Sequence, residues 1–310
     1  MGSTLLAILA CLLWSTAFVG IKIGLRYATP LSFAGIRFMV SGLILVPFWW
    51  RRAPWGRGLA GQWFFVWQVA FFQTFLLYGL FYLGIARVPG ALAAIVVGAS
   101  PLITALVAHF RLSDEPLTRC KALSFTIGVA GVAVVSLGRT PWVSPTGLAE
   151  CVGILLLLLA SVSSAVGNIM VAKEKRNLDP ILLTSAQIFL GGLLLFLVSL
   201  PLEGLPAVSP PAAYYGALFW LAALSAAAFS LWFVLLKRPG ASVSQLNLWK
   251  FLIPVSGAGL SWLLLPEESP HLSALVGMAA IAFAIVFFHR SESVCPATGS
   301  GDVVAPGVRG

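Results

Sequence analysis

The chain is an internal duplication, in which the second half repeats the order of apolar segments in the first. Pro30 corresponds to Pro180 at a separation of 150 residues, and Pro101 corresponds to Pro254 at a separation of 153 residues. Matches that recur in the same order along two halves indicate a repeated structural unit. Each copy holds five long apolar segments, so the fold must be built from two related five-segment units.

The apolar segments have the length and composition that a lipid bilayer requires. Hydrophobic residues make up 59% of the chain and charged residues only 9%, whereas about 25% of a soluble domain is charged. Runs of about 20 apolar residues span a bilayer as helices, and a membrane β-barrel would show short alternating segments instead. We predict an all-α integral membrane protein with ten transmembrane helices over residues 3–25, 30–50, 62–84, 88–110, 121–138, 149–172, 180–200, 212–236, 241–265 and 270–288.

The two units are predicted to be inverted relative to each other, because a copy with an odd number of helices ends on the opposite side of the membrane. Residues 51–57 carry three arginines, whereas the equivalent loop over 201–211 has no lysine or arginine. With the N-terminus inside, thirteen lysines and arginines lie on the cytoplasmic side and three outside, as the positive-inside rule requires. We predict repeats over 1–140 and 147–289, cytoplasmic termini, and a disordered cytoplasmic tail over 290–310. Inverted repeats are typical of transporters, whose substrate site lies near the bilayer midplane.

Several segments resemble a known transporter family. They are an opening helix with WSTAFVGIK, the segment IRFMVSGLIL, a proline-centred fourth helix followed by Asp114 and Glu115, and a glycine-bearing fifth helix, all echoed in the second half. In this pattern the chain resembles the drug/metabolite transporter superfamily, in its ten-helix form with two EamA domains, and it resembles the aromatic amino acid exporters of YddG type among them. The resemblance implies export of amino acids or other small metabolites across a bacterial inner membrane.

Lys250 is the sharpest candidate for contact with a substrate, because a charge at membrane depth is costly and usually functional. It lies about nine residues into the predicted ninth helix, or roughly 13–14 Å at about 1.5 Å per residue. Asn247, Lys250 and Pro254 follow i, i+3, i+7 spacing, so we expect them to share one helical face. The ammonium would meet a substrate carboxylate. The alternative is a structural lysine that binds backbone carbonyls freed by Pro254.

Other side chains at membrane depth supply further candidates. Besides Lys250 and Asn247, the predicted substrate-binding residues are Trp14, Phe18, Tyr78, Tyr82, Ser164, Asn168 and Gln245. Core packing is the alternative for the rings, and bridging between helices is the alternative for the polar groups. Pro101 and Pro254 are predicted hinges, because matched interruptions in two repeats mark a transporter's site, although membrane helices also tolerate proline. Lys22 and Arg37 are predicted gate or orientation residues, with snorkelling to the interface as the alternative.

The residues that the sequence lacks also narrow the function. No acidic residue falls within a predicted helix core, so no buried carboxylate is available to carry a proton or bind sodium. We expect facilitated export down a gradient, or weak coupling through Lys250.

No nucleotide-binding loop of the form G-x-x-x-x-G-K-[ST] occurs, and no catalytic or metal-ligating constellation appears, so neither an enzyme nor a cofactor is predicted. A cation channel is disfavoured because Lys250 would repel cations.

Together these features predict a secondary transporter that works by alternating access. The expected cargo is an amino acid, aromatic or otherwise neutral, or a related small metabolite. Export of drugs or of other non-amino-acid metabolites is the alternative. The net charge of +9 reflects topology and anionic lipid headgroups, so the predicted partners are the bilayer and a small-molecule substrate, not nucleic acid. The oligomeric state is left open.

Overall fold

The computed structural model describes residues 2–50, 61–111, 119–137, 147–174, 178–206, 209–238 and 249–294. In these ranges the secondary structure is helical throughout, and ten helices follow the predicted order. They are α1 (Gly2–Gly24), α2 (Pro30–Trp49), α3 (Trp63–Ile85), α4 (Gly90–Gly98 and Ser100–Arg111), α5 (Arg119–Leu137), α6 (Gly147–Ala172), α7 (Pro180–Glu203), α8 (Ala212–Leu236), α9 (Trp249–Phe251 and Leu252–Leu264) and α10 (Leu272–Val294).

The helices are suited to a bilayer by length and composition. Within the described ranges, six helices are long and apolar enough to cross a membrane, namely α1, α2, α3, α6, α7 and α8, and four shorter apolar helices lie in α4, α5, α9 and α10. The protein is therefore an all-α, multi-pass membrane protein, and the predicted fold class is confirmed.

Helix packing follows the inverted repeat. Helix α2 packs against α7, α4 against α9, and α5 against α10. Helix α1 packs on α8 and α9 in the way that its counterpart α6 packs on α3 and α4. Each repeat thus buries apolar surface against the other, and the space between them is enclosed by helices from both. The repeat boundaries stay a prediction.

Two helices depart from a regular α-helical path near the paired prolines. Helix α4 is interrupted at Ala99, so that Pro101 is the second residue of a new segment. The described part of α9 starts with a 3₁₀ turn over Trp249–Phe251, and Pro254 is the third residue of the α-helical segment that follows. A proline in the first turn breaks no hydrogen bond, because the amides there have no intrahelical partner. Both prolines therefore lie where a helical segment begins.

The 3₁₀ turn bears on one prediction about α9. The i, i+3, i+7 spacing of Asn247, Lys250 and Pro254 assumed an unbroken α-helix over 241–265, whereas Lys250 lies in a 3₁₀ turn; the shared face of the three residues stays a prediction. Asn247 and Gln245 lie outside the described residues. Lys250 is nevertheless buried, as the sequence predicted.

Helix α3 contains a π-helical segment over Phe71–Leu76 that the sequence did not indicate. The wider turn buries the polar side chains of Gln73 and Thr74. Its counterpart α8 is α-helical over its full length. Single π turns in α-helices often mark functional sites, and this one faces the space between the repeats.

Carboxylates from one helix or loop cap the first turn of another. Glu268, in the loop between α9 and α10, accepts hydrogen bonds from the backbone N–H groups of Gly90 at 2.6 Å and Ala91 at 2.8 Å. Glu203, at the end of α7, caps the start of α2 in the same way. A negative charge at a helix N-terminus is favourable because it satisfies free amides and complements the helix dipole.

Replacing Glu268 with glutamine is expected to destabilise the protein by about 1 kcal/mol, because the substitution removes the charge that caps α4. The matched control is Glu267→Gln in the same loop. The side chain of Glu267 is 55% exposed and forms an ion pair with Arg26, itself 48% exposed, and exposed ion pairs contribute little. Thermal unfolding in detergent should give a lower midpoint for Glu268→Gln alone. Equal midpoints for both variants would contradict the capping role.

Candidate functional site

A cavity lies between the two repeats, near the middle of the helices. The cavity has a volume of about 100 Å³, enough for several water molecules. Its wall is formed by Trp14, Ala17, Phe18, Ile21, Arg37, Gln73, Leu77, Tyr78, Phe81, Val97, Ser100, Leu157, Ala160, Ser161, Ser164, Asn168, Phe229, Trp232, Lys250 and Ile253. All but Arg37 come from α1, α3, α4, α6, α8 and α9, and Arg37 extends from α2.

Lys250 brings a positive charge to the cavity wall. The residue is 6% exposed, and its Nζ lies 5.0 Å from the centre of the Trp232 ring. Among the described residues, Nζ has neither a carboxylate partner nor a hydrogen-bond acceptor. A cation–π contact contributes about 0.5–2 kcal/mol, which is small beside the cost of removing an ammonium from water. No hydrogen bond in the described part of the chain supports the alternative role for Lys250, in which it binds carbonyls near Pro254.

Arg37 brings a second charge to the same cavity. Its Nη1 donates to Tyr82 Oη at 2.6 Å, and its Nη2 donates to Ser225 Oγ at 2.7 Å. The guanidinium carbon also lies 4.6 Å from the centre of the Phe38 ring. These partners are all neutral. Arg37 is 1% exposed, so the alternative that it snorkels to the interface is wrong. The reason is that α8 and α3 supply hydrogen-bond partners deep between the repeats.

Asn168 joins three helices at the cavity wall. Its Oδ1 accepts a hydrogen bond from Gln73 Nε2 of α3 at 3.0 Å and another from Trp232 Nε1 of α8 at 3.3 Å. Gln73 comes from the π-helical segment, which Ser163 of α6 also contacts by donating to the Phe72 carbonyl at 2.6 Å. The network fixes the Trp232 ring, over which Lys250 lies.

The repeats use different chemistry at equivalent contacts. Gln187 of α7 is the counterpart of Arg37 of α2. Gln187 Oε1 accepts a hydrogen bond from Thr74 of α3 at 2.6 Å, whereas Arg37 donates to Ser225 of α8. A neutral pair thus joins α7 to α3 and a charged group joins α2 to α8. The charge that α2 contributes to the cavity has no equivalent from α7.

Aromatic rings form the apolar part of the wall. Trp14 packs edge-on against Phe229 at 5.7 Å and against Trp232 at 5.2 Å between ring centres. Phe18 lies 5.9 Å from Phe81. Such edge contacts are the preferred geometry of aromatic pairs. The indole N–H of Trp14 is buried and has no hydrogen-bond partner among the described residues.

The predicted site residues fall into three groups. At the cavity wall lie Lys250, Trp14, Phe18, Tyr78, Ser164 and Asn168. Tyr82 lies behind the wall as the partner of Arg37. Outside the described residues lie Asn247 and Gln245. The sequence did not single out Gln73, Phe229 or Trp232, and only the amide of Gln73, a polar group at membrane depth, gave a usable signal.

Polar contacts lie at both ends of the helix assembly. At the side where α1 ends, Lys22 donates to the Ile85 carbonyl at 3.0 Å, and Arg26 forms an ion pair with Glu267. Hydrogen bonds from its own backbone and from Arg26 hold the pKa of Glu267 below its ordinary value, so this pair stays charged at neutral pH. At the side where α1 begins, Lys237 of α8 pairs with Glu174 at 2.8 Å.

Comparisons with known proteins agree with this architecture. The family model described as "EamA-like transporter family" matches residues 1–137 and 152–290. The chain is 27% identical to the uncharacterized transporter YvbV of Bacillus subtilis, over 96% of this chain and 95% of the relative. It is also 27% identical to the protein PecM of Dickeya dadantii, over 94% and 95%. A solved crystal structure matches with a TM-score of 0.64 at 21% identity, covering 92% of this chain and 96% of the other; it shares the fold.

Proposed function

The chain belongs to the EamA-like transporter family, and from this membership we propose that it is a secondary transporter that exports amino acids or related small metabolites through the central cavity. The proposal depends on one observation, the pair of buried cations at a wall that also carries six aromatic rings. Lys250 is the group that would bind the substrate carboxylate. Trp14, Phe18 and Tyr78 would contact an aromatic or other apolar side chain.

Transport by alternating access is supported by the positions of the paired prolines. Pro101 and Pro254 each lie at the start of a helical segment, where the direction of a chain can change without breaking internal hydrogen bonds. We propose that both act as hinges. The contacts of Lys22 and Arg26 at one end, and of Lys237 at the other, would then open in turn as gates. Binding biases such an equilibrium only through a difference in affinity between its two states.

We propose that transport is facilitated, driven only by the concentration gradient of the substrate. Among the described residues, no aspartate or glutamate lies at the cavity wall, and Lys250 is the group there that could couple weakly to protons. The proposed location is the bacterial inner membrane, with both termini in the cytoplasm, because the cytoplasmic loops then hold the excess of lysine and arginine. The proposed repeats are residues 1–140 and 147–289.

Flux in liposomes tests the proposal directly. The purified protein is reconstituted, and uptake of threonine, methionine, phenylalanine and tryptophan is measured with and without an imposed pH gradient. We expect saturable uptake of at least one amino acid without a gradient. Strong accumulation that requires the gradient would contradict facilitated transport, and large single-channel currents would contradict a carrier. No uptake of any member would favour the alternative, export of drugs or other non-amino-acid metabolites.

A further inference from the structure

The charge at the cavity wall is unbalanced. Arg37 and Lys250 both reach the wall, and in the described part of the chain no carboxylate does. The hydrogen-bond partners of Arg37 are the neutral groups of Tyr82, Ser225 and Leu221. Among the described residues, Lys250 has no hydrogen-bond acceptor; its ammonium lies over the ring of Trp232, and the neutral thiol of Cys11 is also close to it. An empty cavity therefore carries two positive charges that the surrounding described residues do not offset.

Buried cations without a negatively charged partner favour the binding of an anionic ligand. Burial of an isolated charge is costly, and a partner of opposite sign recovers part of the cost. Arg37 stays protonated under all physiological conditions, so the wall always carries at least one cation. A ligand with a net negative charge gains from this field, whereas a ligand with no net charge gains less.

An α-amino acid is poorly matched to this wall because it carries an ammonium as well as a carboxylate. The ammonium would enter a cavity that already holds cations. The acceptors at the wall are neutral groups, such as the hydroxyls of Ser161 and Ser164, whereas Gln73 Oε1 is itself buried. Asn168 Oδ1 already accepts two hydrogen bonds. A neutral oxygen can accept a hydrogen bond from the ammonium, but it does not offset the repulsion between that ammonium and the cations of the wall. Such like-charge repulsion discriminates strongly between ligands.

We infer that the cavity prefers aromatic or similarly apolar carboxylates that lack an ammonium group over the corresponding zwitterionic amino acids. This rests on the proposed function, because it assigns the substrate class of the same cavity. The carboxylate pairs with Lys250, which has no hydrogen-bond acceptor among the described residues, Arg37 adds a second positive charge to the same wall, and the apolar part packs among the rings of Trp14, Phe18, Phe81 and Phe229. A small inorganic anion would satisfy the charge but leave those rings without contact.

Three probes with one shared ring isolate the effect of each charge. They are 3-phenylpropanoate, which has only the carboxylate, L-phenylalanine, which has both groups, and 2-phenylethylamine, which has only the ammonium. Binding to the full-length protein in lipid nanodiscs is measured by isothermal titration calorimetry at pH 7.5, with chloride replaced by gluconate and then restored. We expect the dissociation constant of 3-phenylpropanoate to be at least about tenfold lower than that of L-phenylalanine, and no measurable binding of 2-phenylethylamine.

The outcomes separate this inference from the proposed function. Tighter binding of L-phenylalanine than of 3-phenylpropanoate would overturn the inference while leaving an amino acid carrier in place. Binding of chloride itself, titrated into the chloride-free buffer, with no binding of any aromatic probe, would overturn both and indicate a site for small anions. A variant gives an independent check. Lys250→Met should bring the dissociation constants of 3-phenylpropanoate and L-phenylalanine closer together. The exposed Lys173→Met is the control and should leave the ratio of these two constants unchanged. An unchanged ratio in Lys250→Met would also contradict the inference.

Discussion

Replacing Lys250 with methionine is expected to lower the initial rate of transport at low substrate concentration by roughly 10- to 100-fold. The estimate follows from the loss of a hydrogen bond to a charged group, worth about 1.5–3 kcal/mol, at about 1.4 kcal/mol for each factor of ten. Methionine keeps much of the lysine chain length, so the variant removes the charge and leaves the packing against Trp232 largely filled. The effect should be largest for substrates with a carboxylate, measured as uptake into liposomes.

The control for this experiment is Lys173→Met, the same chemical change at an exposed lysine at the end of α6. Its transport rate should match that of the unmodified protein. Both variants must reach liposomes in equal amounts, judged by size-exclusion chromatography and by the protein content of the vesicles. Full transport by Lys250→Met under these conditions would refute the role of the ammonium in substrate binding.

Replacing Gly35 with leucine is expected to prevent accumulation of folded protein. An added Cβ at Gly35 of α2 would lie 2.6 Å from the backbone nitrogen and 2.8 Å from the Cα of Phe196 in α7. The opposite face has the same constraint, because a Cβ at Gly192 would lie 2.7 Å from the backbone nitrogen of Met39. Small residues let membrane helices approach closely, and backbone atoms cannot move aside as a side chain can. Even Gly35→Ala should cost about 1–3 kcal/mol through overpacking.

Gly259→Leu in α9 is the matched control, since nothing lies within 4 Å of a Cβ added there. The yield of monodisperse protein after detergent extraction, and its thermal unfolding midpoint, measure both variants. We expect Gly259→Leu to resemble the unmodified protein and Gly35→Leu to aggregate. Because α2 also carries Arg37 to the cavity, a Gly35→Ala protein that folds should show weaker substrate binding. Normal yield and stability of Gly35→Leu would contradict the close contact between α2 and α7.

The sequence was sufficient to predict the number, order and several boundaries of the helices. Bilayer thickness sets the length of an apolar run, and proline marks where a helix can begin. The predicted starts of α2 at Pro30 and of α7 at Pro180 agree with the structure. In α7, Asp179 adds a side-chain cap by accepting hydrogen bonds from two backbone amides. These signals are local, so they can be read without knowledge of the tertiary structure.

The remaining features depend on contacts between distant parts of the chain. The π turn over Phe71–Leu76 changes the hydrogen-bond pattern of α3 without a distinctive composition. Arg37 is buried rather than interfacial because Ser225, 188 residues away, accepts its hydrogen bond. Trp232 reads as an ordinary packing residue in an apolar helix, yet its ring supports Lys250. The sequence identified which charges lie at membrane depth, but not which of them meet in one cavity.

The π turn in α3 has a consequence for direction. In a carrier of the proposed kind, two identical inverted halves would give two end states related by two-fold rotation and equal in free energy, and each would hold half of the empty molecules. Because α8 lacks the π turn that α3 has, we expect the two end states to differ in free energy and the empty carrier to favour one of them. An uncoupled carrier cannot use that bias to concentrate its cargo, since detailed balance fixes the final distribution. The bias instead sets the substrate concentration at which each face of the membrane saturates.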